Sequence, residues 1–166
     1  MTRKFLLLAF VLAAIICEAS VLAQDARPDT GTFMKDILRD GLGELTIINN
    51  NHKQDALVIL TSTDEKPLVA VFIRSDDSFK ISGISDGTYD IFFKLGNKWD
   101  SNSAKFAEKG GHYRLDRPIA FETTMTPTSD TITTRYTTWT LALEEAVPDA
   151  NMTAGKVPVS EEEFPI

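Results

Sequence analysis

This 166-residue chain contains two histidines, residues of a type that could take part in catalysis or bind a metal ion. His52 and His112 each lie in a polar, turn-like stretch, and neither has the spacing to a second ligand that marks a zinc-binding helix. A serine hydrolase of the common type places its serine on a sharp strand-to-helix turn, and no Gly-x-Ser-x-Gly occurs. We therefore interpret both histidines as surface residues and predict no catalytic residues and no enzymatic activity.

Oxygen-bearing side chains near one predicted strand offer a second chemical possibility, a calcium site. They are Asp86, Asp90, Asn97, Asp100 and Asn102. Calcium takes six or more oxygen ligands from a loop of matching geometry, and no Asp-x-Asp-x-Asp-Gly loop is present. Such residues are more typical of turns and of solvated strand positions. The sequence therefore predicts neither a metal nor a cofactor.

Three aromatic side chains are candidates for a ligand or partner surface: Phe92, Trp99 and Tyr113. Phe92 interrupts the polar face of an alternating strand, and Trp99 follows a Gly-Asn-Lys turn. Exposed aromatic rings stack on sugars or anchor peptide partners. The alternative is that both faces of a central strand are buried and that Trp99 packs on its own loop, since large aromatics are usually buried.

The elements that would position these residues are short segments in which apolar residues alternate with polar ones. Turn-forming or charged clusters separate them, and no helical pattern lies between them. The predicted strands cover residues 43–49, 55–61, 67–74, 78–82, 89–95, 104–107, 113–123 and 131–143. Seven or eight such strands predict an all-β domain over 43–146, an antiparallel β-sandwich of transthyretin-like or immunoglobulin-like type.

The segments on either side of this domain have a different composition. Residues 24–42 read as a linker that ends in one short helix, because Phe33, Met34, Ile37 and Leu38 have helical spacing and Gly41 follows them. Residues 147–166 are rich in proline and glutamate, which predicts an extended or disordered tail. Phe164 is the exception in this tail, since an aromatic side chain there could dock onto the domain.

The N-terminus has the order of features found in a secretory signal peptide. Arg3 and Lys4 precede an uncharged run of 13 residues, and a Val-x-Ala site ends at Ala23. The run is shorter than the roughly 20 residues that span a bilayer as a helix. We predict a signal peptide over 1–23 with cleavage after Ala23. An uncleaved anchor and acylation of Cys17 remain alternatives.

The charge of the chain restricts its partners. The net charge is −7, and removal of Arg3, Lys4 and Glu18 with the signal leaves 15 basic and 23 acidic side chains, or −8. Such a surface repels phosphate backbones and anionic lipid, so nucleic acid is not expected as a partner. The remaining chain also has no cysteine, so it has neither a disulfide nor a thiolate metal site.

One stretch resembles a known structural signature. Residues 78–91, Ser-Phe-Lys-Ile-Ser-Gly-Ile-Ser-Asp-Gly-Thr-Tyr-Asp-Ile, are similar to the Gly-x-x-x-Gly-x-Tyr crossing of transthyretin-like and carboxypeptidase-regulatory-like modules. A longer resemblance, from Gly43 to Phe164, is to a group of uncharacterised bacterial exported proteins, although Ser85 stands where that group usually has proline. The resemblance implies a β-sandwich module and no particular reaction.

These observations lead to one main hypothesis and two rivals. The main hypothesis is a non-catalytic, exported module, periplasmic or extracellular, that binds a protein or glycan at the cell envelope. The first rival is a structural or assembly subunit that joins a protein partner through its C-terminal tail or a sheet edge. The second rival is an enzyme of a type that the sequence does not reveal.

Overall fold

The computed structural model describes residues 27–37, 39–144, 148, 150–153 and 155–166. Within these residues the protein is all-β and contains no helix. The predicted signal peptide and its cleavage site at Ala23 lie outside the described residues.

Thirteen strands account for the regular structure of the described residues. In chain order they are β1 (Thr32–Asp36), β2 (Gly43–Asn49), β3 (Asp55–Thr61), β4 (Pro67–Ile73), β5 (Asp77–Ile84), β6 (Gly87–Asp100), β7 (Lys105–Leu115), β8 (Ile119–Phe121), β9 (Thr123–Pro127), β10 (Ile132–Tyr136), β11 (Thr138–Ala142), β12 (Met152–Thr153) and β13 (Lys156–Pro158). The predicted bounds of β2 and β3 are confirmed. The prediction of seven or eight strands is too low, because the two longest predicted strands are each divided by turns and because both flanking segments supply strands.

The strands form two sheets and a separate hairpin. The large sheet has the order β1-β4-β3-β6-β7-β13, with β8 also paired to β6, and the small sheet has the order β12-β11-β2-β5. Most neighbours are antiparallel, but β11 runs parallel to both β2 and β12. The parallel pair of β2 and β11 needs no crossover helix, because the strands that lie between them in the chain make the connection.

The short helix predicted from Phe33, Met34, Ile37 and Leu38 is wrong for the residues that the structure describes. Thr32–Asp36 is a strand that pairs with β4, and its register shifts between Phe33 and Lys35. Tertiary pairing overrides the local helical spacing here, because the edge of β4 offers backbone hydrogen bonds that a one-turn helix cannot match. Leu38 lies outside the described residues.

The two sheets face each other across one apolar core, an arrangement consistent with a β-sandwich. The inward residues of β3, β4 and β6 alternate along each strand and meet inward residues of β2, β5 and β11. This inner core includes Leu45, Ile47, Val58, Leu60, Val71, Ile81, Phe93 and Leu141, all essentially without solvent exposure. Burial of such a set is the main stabilising contribution to folding.

The opposite face of the large sheet carries a second apolar cluster. Its sheet residues are Leu57, Ile59, Ala70, Phe72 and Phe92, and they are as deeply buried as the inner core. Residues from outside this central part of the sheet pack against them: Trp99, Phe106 and Phe164, with Met34, Ala104 and Val159. Both faces of the central strands are therefore covered.

Two segments complete this outer face. The end of the β6–β7 hairpin brings Trp99 and Phe106 against Phe72, with ring centroids 5.1 and 5.9 Å away. Gly96 permits this approach at a β-bulge, because a Cβ there would lie 2.5 Å from the Phe106 ring. The tail contributes β13, which pairs with β7, and the buried Phe164.

Candidate functional site

The three predicted surface aromatics do not form an exposed surface. Phe92 is 2% exposed and Trp99 7%, so these two candidates are not available as an exposed surface, and the interpretation that both faces of the central strand are buried is the observed one. Trp99 makes edge contacts with Phe72 and Phe106. Tyr113 is half-buried, stacks on Phe93 at 5.3 Å, and so belongs to the inner core.

The carboxylates considered as calcium ligands lie at opposite ends of β6. Asp86, before the strand, accepts hydrogen bonds from the backbone N–H and the hydroxyl of Thr123. Asp100, at the other end, accepts from the Asn102 backbone and the Ser103 hydroxyl. Across the described part of the chain, no group of three or more His, Cys, Asp or Glu side chains is arranged to hold a metal ion.

His52 has a carboxylate partner but no catalytic setting. Its Nδ1 lies 2.5 Å from Asp76 Oδ1, and both side chains are mostly exposed, as the prediction of a surface role for His52 requires. A catalytic triad also needs a hydroxyl or thiol on the other ring nitrogen. Within the described residues, no such group donates a hydrogen bond to His52.

A basic pocket lies on the outer face of the large sheet, beside the second apolar cluster. We define the basic pocket by its lining residues: Lys94, Leu95, Lys105, Phe106, Lys109, His112 and Glu161. Lys94 on β6 lies directly opposite His112 on β7, and the two other lysines belong to the N-terminal half of β7. Strand pairing thus places four basic groups together.

Lys94 is the most unusual residue of the basic pocket. It is only 5% exposed, and no hydrogen-bond acceptor or salt-bridge partner for its ammonium group is present in the described structure. Its Nζ lies 5.5 Å from the centre of the Phe164 ring. Burial lowers the pKa of Lys94 below its usual value, and Lys105 and Lys109 act in the same direction against the opposing effect of Glu161. A mostly buried lysine whose ammonium group has no acceptor among the described residues offers a position for an anion.

His112 completes the basic side of the pocket. It is half-buried on β7, so its assignment to an exposed turn is wrong, and its ring makes an edge contact with Phe164 at 4.9 Å. Burial lowers the pKa of His112, and the charges on Lys94 and Lys109 lower it further, while Glu161 raises it. Burial and the neighbouring lysines therefore favour the neutral form of this histidine.

Glu161 is the only acidic group that lines the basic pocket. Its carboxylate accepts a hydrogen bond from Lys109 Nζ at 2.6 Å, and this bond is the main reason why its pKa is lowered. The remaining cavity has a volume of about 10 Å³, room for one water-sized group. One carboxylate from the tail thus faces four basic groups, and the space beside it is nearly closed.

The groups that line the basic pocket can attract negative charge. Its lining contains no hydroxyl, no thiol and no pair of carboxylates, the groups that acyl transfer and glycoside hydrolysis require. Buried ammonium and imidazole groups beside aromatic rings suit a carboxylate attached to an apolar or planar body.

Sequence reasoning identified none of the three lysines as a site residue. Alternation along β6 places Lys94 on the same face as Phe92. A lysine on the same strand face as a large aromatic residue was the signal in the sequence that could have identified this site. The contribution of Glu161 and Phe164 depends on how the tail returns to the sheet, and no local pattern encodes that return.

Comparison with protein-family models, with curated proteins and with solved structures finds no match to this chain. Among the described residues there is also no helix of the length and apolar character that crossing a membrane requires.

Proposed function

We propose that this protein is a non-catalytic recognition module that binds a carboxylate-bearing partner in the basic pocket. The observation that carries the proposal is Lys94, a lysine that is only 5% exposed, with three basic neighbours and no acceptor for its ammonium group among the described residues. Retaining such a group opposes folding, since burying an unpaired charge costs stability. A ligand that supplies the missing negative charge accounts for its presence.

The charge distribution favours a compact carboxylate over a long polyanion. The chain has a net charge of −7, so extended phosphate or nucleic-acid backbones meet repulsion over most of the surface. The basic pocket acts only over a short distance, because the field of three lysines is screened beyond about 8 Å at physiological salt. We therefore expect recognition of one or a few carboxylates rather than of a charged polymer surface.

The sequence pattern supports a location and a scaffold for this function. The signal-like segment 1–23 favours export, periplasmic or extracellular, where the partner is a protein or glycan of the cell envelope. The similarity of residues 78–91 to transthyretin-like modules favours that type of sandwich as the scaffold. Both statements are part of the proposal.

A titration with carboxylate probes tests the proposal. Digalacturonate supplies two carboxylates, a disaccharide sulfate supplies a different anion, and maltose is uncharged. We expect calorimetry to show binding of digalacturonate that Lys94→Met weakens by about tenfold or more, the effect of losing one charge-assisted contact of roughly 1.5–3 kcal/mol.

The matched control is Lys66→Met, which removes one lysine from an exposed turn where it pairs with Asp64. This variant is expected to bind as the original protein does. If Lys94→Met binds as tightly as the original protein, or if Lys94→Met and Lys66→Met lose the same affinity, the basic pocket is not the site.

The assembly function is the second candidate, and one observation favours it. β13 covers the edge of the large sheet at β7, and Phe164 anchors the same tail in the outer cluster. A tail that docks in this way onto a neighbouring copy would join two subunits. Light scattering over a range of concentrations tests it: a larger assembly that Phe164→Ala disrupts is expected, and a monomer at all concentrations removes this candidate.

A further inference from the structure

The tail lies on the large sheet as an added strand. Lys156, Val157 and Pro158 pair with Leu115, Arg114 and Tyr113. The Val159 N–H then donates to the His112 carbonyl at 3.0 Å, which extends the pairing toward the basic pocket. This is the geometry by which extended peptides bind to an exposed sheet edge, with main-chain hydrogen bonds as the common contact.

Two side chains of the tail give this strand its specificity. Glu161 bonds to Lys109, and Phe164, three residues later, is 6% exposed. The Phe164 ring lies against Phe92 at 6.2 Å as well as against His112 and Lys94. The tail therefore presents a carboxylate to Lys109 and an aromatic ring to Phe92, His112 and Lys94, all on the outer face.

The size of the remaining cavity makes the tail and any larger ligand mutually exclusive. About 10 Å³ holds one water-sized group, so a carboxylate with a body attached takes the place of Glu161 beside Lys109, and the tail leaves the pocket with it. When two groups compete for one place, each weakens the binding of the other by the same factor. Displacement of the tail also exposes the backbone of β7 from Tyr113 to Leu115.

We propose that the partner is an acidic extended peptide, with an aromatic residue about three positions after a carboxylate, that adds to β7 in place of residues 156–164. The inference rests on the proposed function and gives its ligand a chemical class. The chain's own tail is the resident example of that class. A partner segment of the same kind gains the β7 backbone contacts, the bond to Lys109 and the aromatic position beside Lys94.

The experiment uses a fluorescent peptide with the sequence of residues 156–166 and the full chain carrying Cys17→Ser, Arg114→Cys and Val157→Cys. Arg114 and Val157 are directly opposite in the antiparallel pair, a position where a disulfide can form. Oxidation ties the resident tail to β7, and reduction frees it in the same molecule. Fluorescence anisotropy is expected to show peptide binding in the reduced protein and at least tenfold weaker binding after oxidation.

Peptides with Glu161→Gln or Phe164→Ala are the matched controls, and each is expected to bind at least tenfold more weakly. In a second measurement, the full chain with Phe164→Ala is expected to bind the unaltered peptide at least tenfold more tightly than the original chain, because its own tail competes less. Both directions follow from one shared site.

The outcomes separate this inference from the function on which it rests. Equal peptide binding by the oxidised and reduced proteins would overturn addition at β7. Binding of digalacturonate that depends on Lys94, together with no peptide binding to the reduced protein, would overturn the peptide as ligand and leave the carboxylate site standing. Absence of both would overturn the two proposals together.

Discussion

The two faces of the large sheet are equally buried but differ in composition. On the inner face, alternate residues of β3, β4 and β6 are aliphatic or aromatic and meet a complementary apolar sheet. The outer face combines Phe72 and Phe92 with Lys94, His112 and Arg114. The two buried polar atoms that have no hydrogen-bond partner among the described residues, Thr61 Oγ1 and Arg114 Nε, belong to strand positions of this outer face.

The difference indicates that the two faces serve different purposes. An inner core without charged groups is the lower-energy solution, since each buried polar group needs a partner to avoid a cost. The same strands could carry apolar residues on the outer face too. We infer that the inner face stabilises the domain, whereas the outer face accepts some loss of stability to keep charged groups in place for binding.

The largest expected effect is on stability, and it compares alanine variants of two neighbouring aromatic residues that point to opposite faces of β6. Phe93→Ala should destabilise the protein by about 4 kcal/mol, the usual cost of an empty space in a rigid core. Phe92→Ala should cost only about 2 kcal/mol, since the Phe164 ring can move into the space it leaves. Urea unfolding of the two variants measures the difference, and equal losses would contradict the distinction between the faces.

A second substitution should stabilise the protein rather than destabilise it. Lys94→Met replaces a desolvated ammonium with an apolar side chain of similar length, and we expect it to stabilise the protein by about 1 kcal/mol while weakening carboxylate binding. Chemical denaturation without ligand tests this directly. A Lys94→Met variant that is clearly less stable would show that the lysine serves the fold.

The smallest expected effect concerns pH. Burial and the nearby lysines lower the pKa of His112 in the folded protein, so the unfolded chain binds a proton first as the pH falls. Stability should therefore decrease as the pH drops from the ordinary histidine pKa through the lower folded value. His112→Gln should make the melting temperature less sensitive to pH between 7.5 and about 5. If the melting temperature of His112→Gln depends on pH as that of the original protein does, His112 does not feel the charges of the basic pocket.

Much of the fold could be predicted from the sequence because alternation is a local property. The strand β2 and the burial of Phe93 follow directly from it. β3 follows from another local signal, a short run of apolar residues between two turn-forming clusters. The strand at Thr32–Asp36 could not be predicted in this way, since its stability comes from pairing with β4 rather than from its own residues. Local spacing there favoured a helix that the rest of the domain overrides.

The basic pocket was less accessible to prediction for a related reason. Lys94, Lys109 and His112 come together through the register of β6 and β7, and a shift by one residue would move the set to the other face. Glu161 reaches the pocket only because the tail pairs with β7, about 50 residues away along the chain. Charges in a strand usually indicate a solvated face, so burial of Lys94 becomes visible only when the outer cluster is assembled.

The most direct test of the central claim is an NMR measurement of the Lys94 and His112 pKa values with and without a carboxylate probe. Bound negative charge favours the protonated forms of both groups, so digalacturonate should raise both pKa values from their lowered positions. Upward shifts confined to Lys94 and His112 are the predicted result. Saturating probe that leaves both values where they are would contradict a carboxylate site on this face of the sheet.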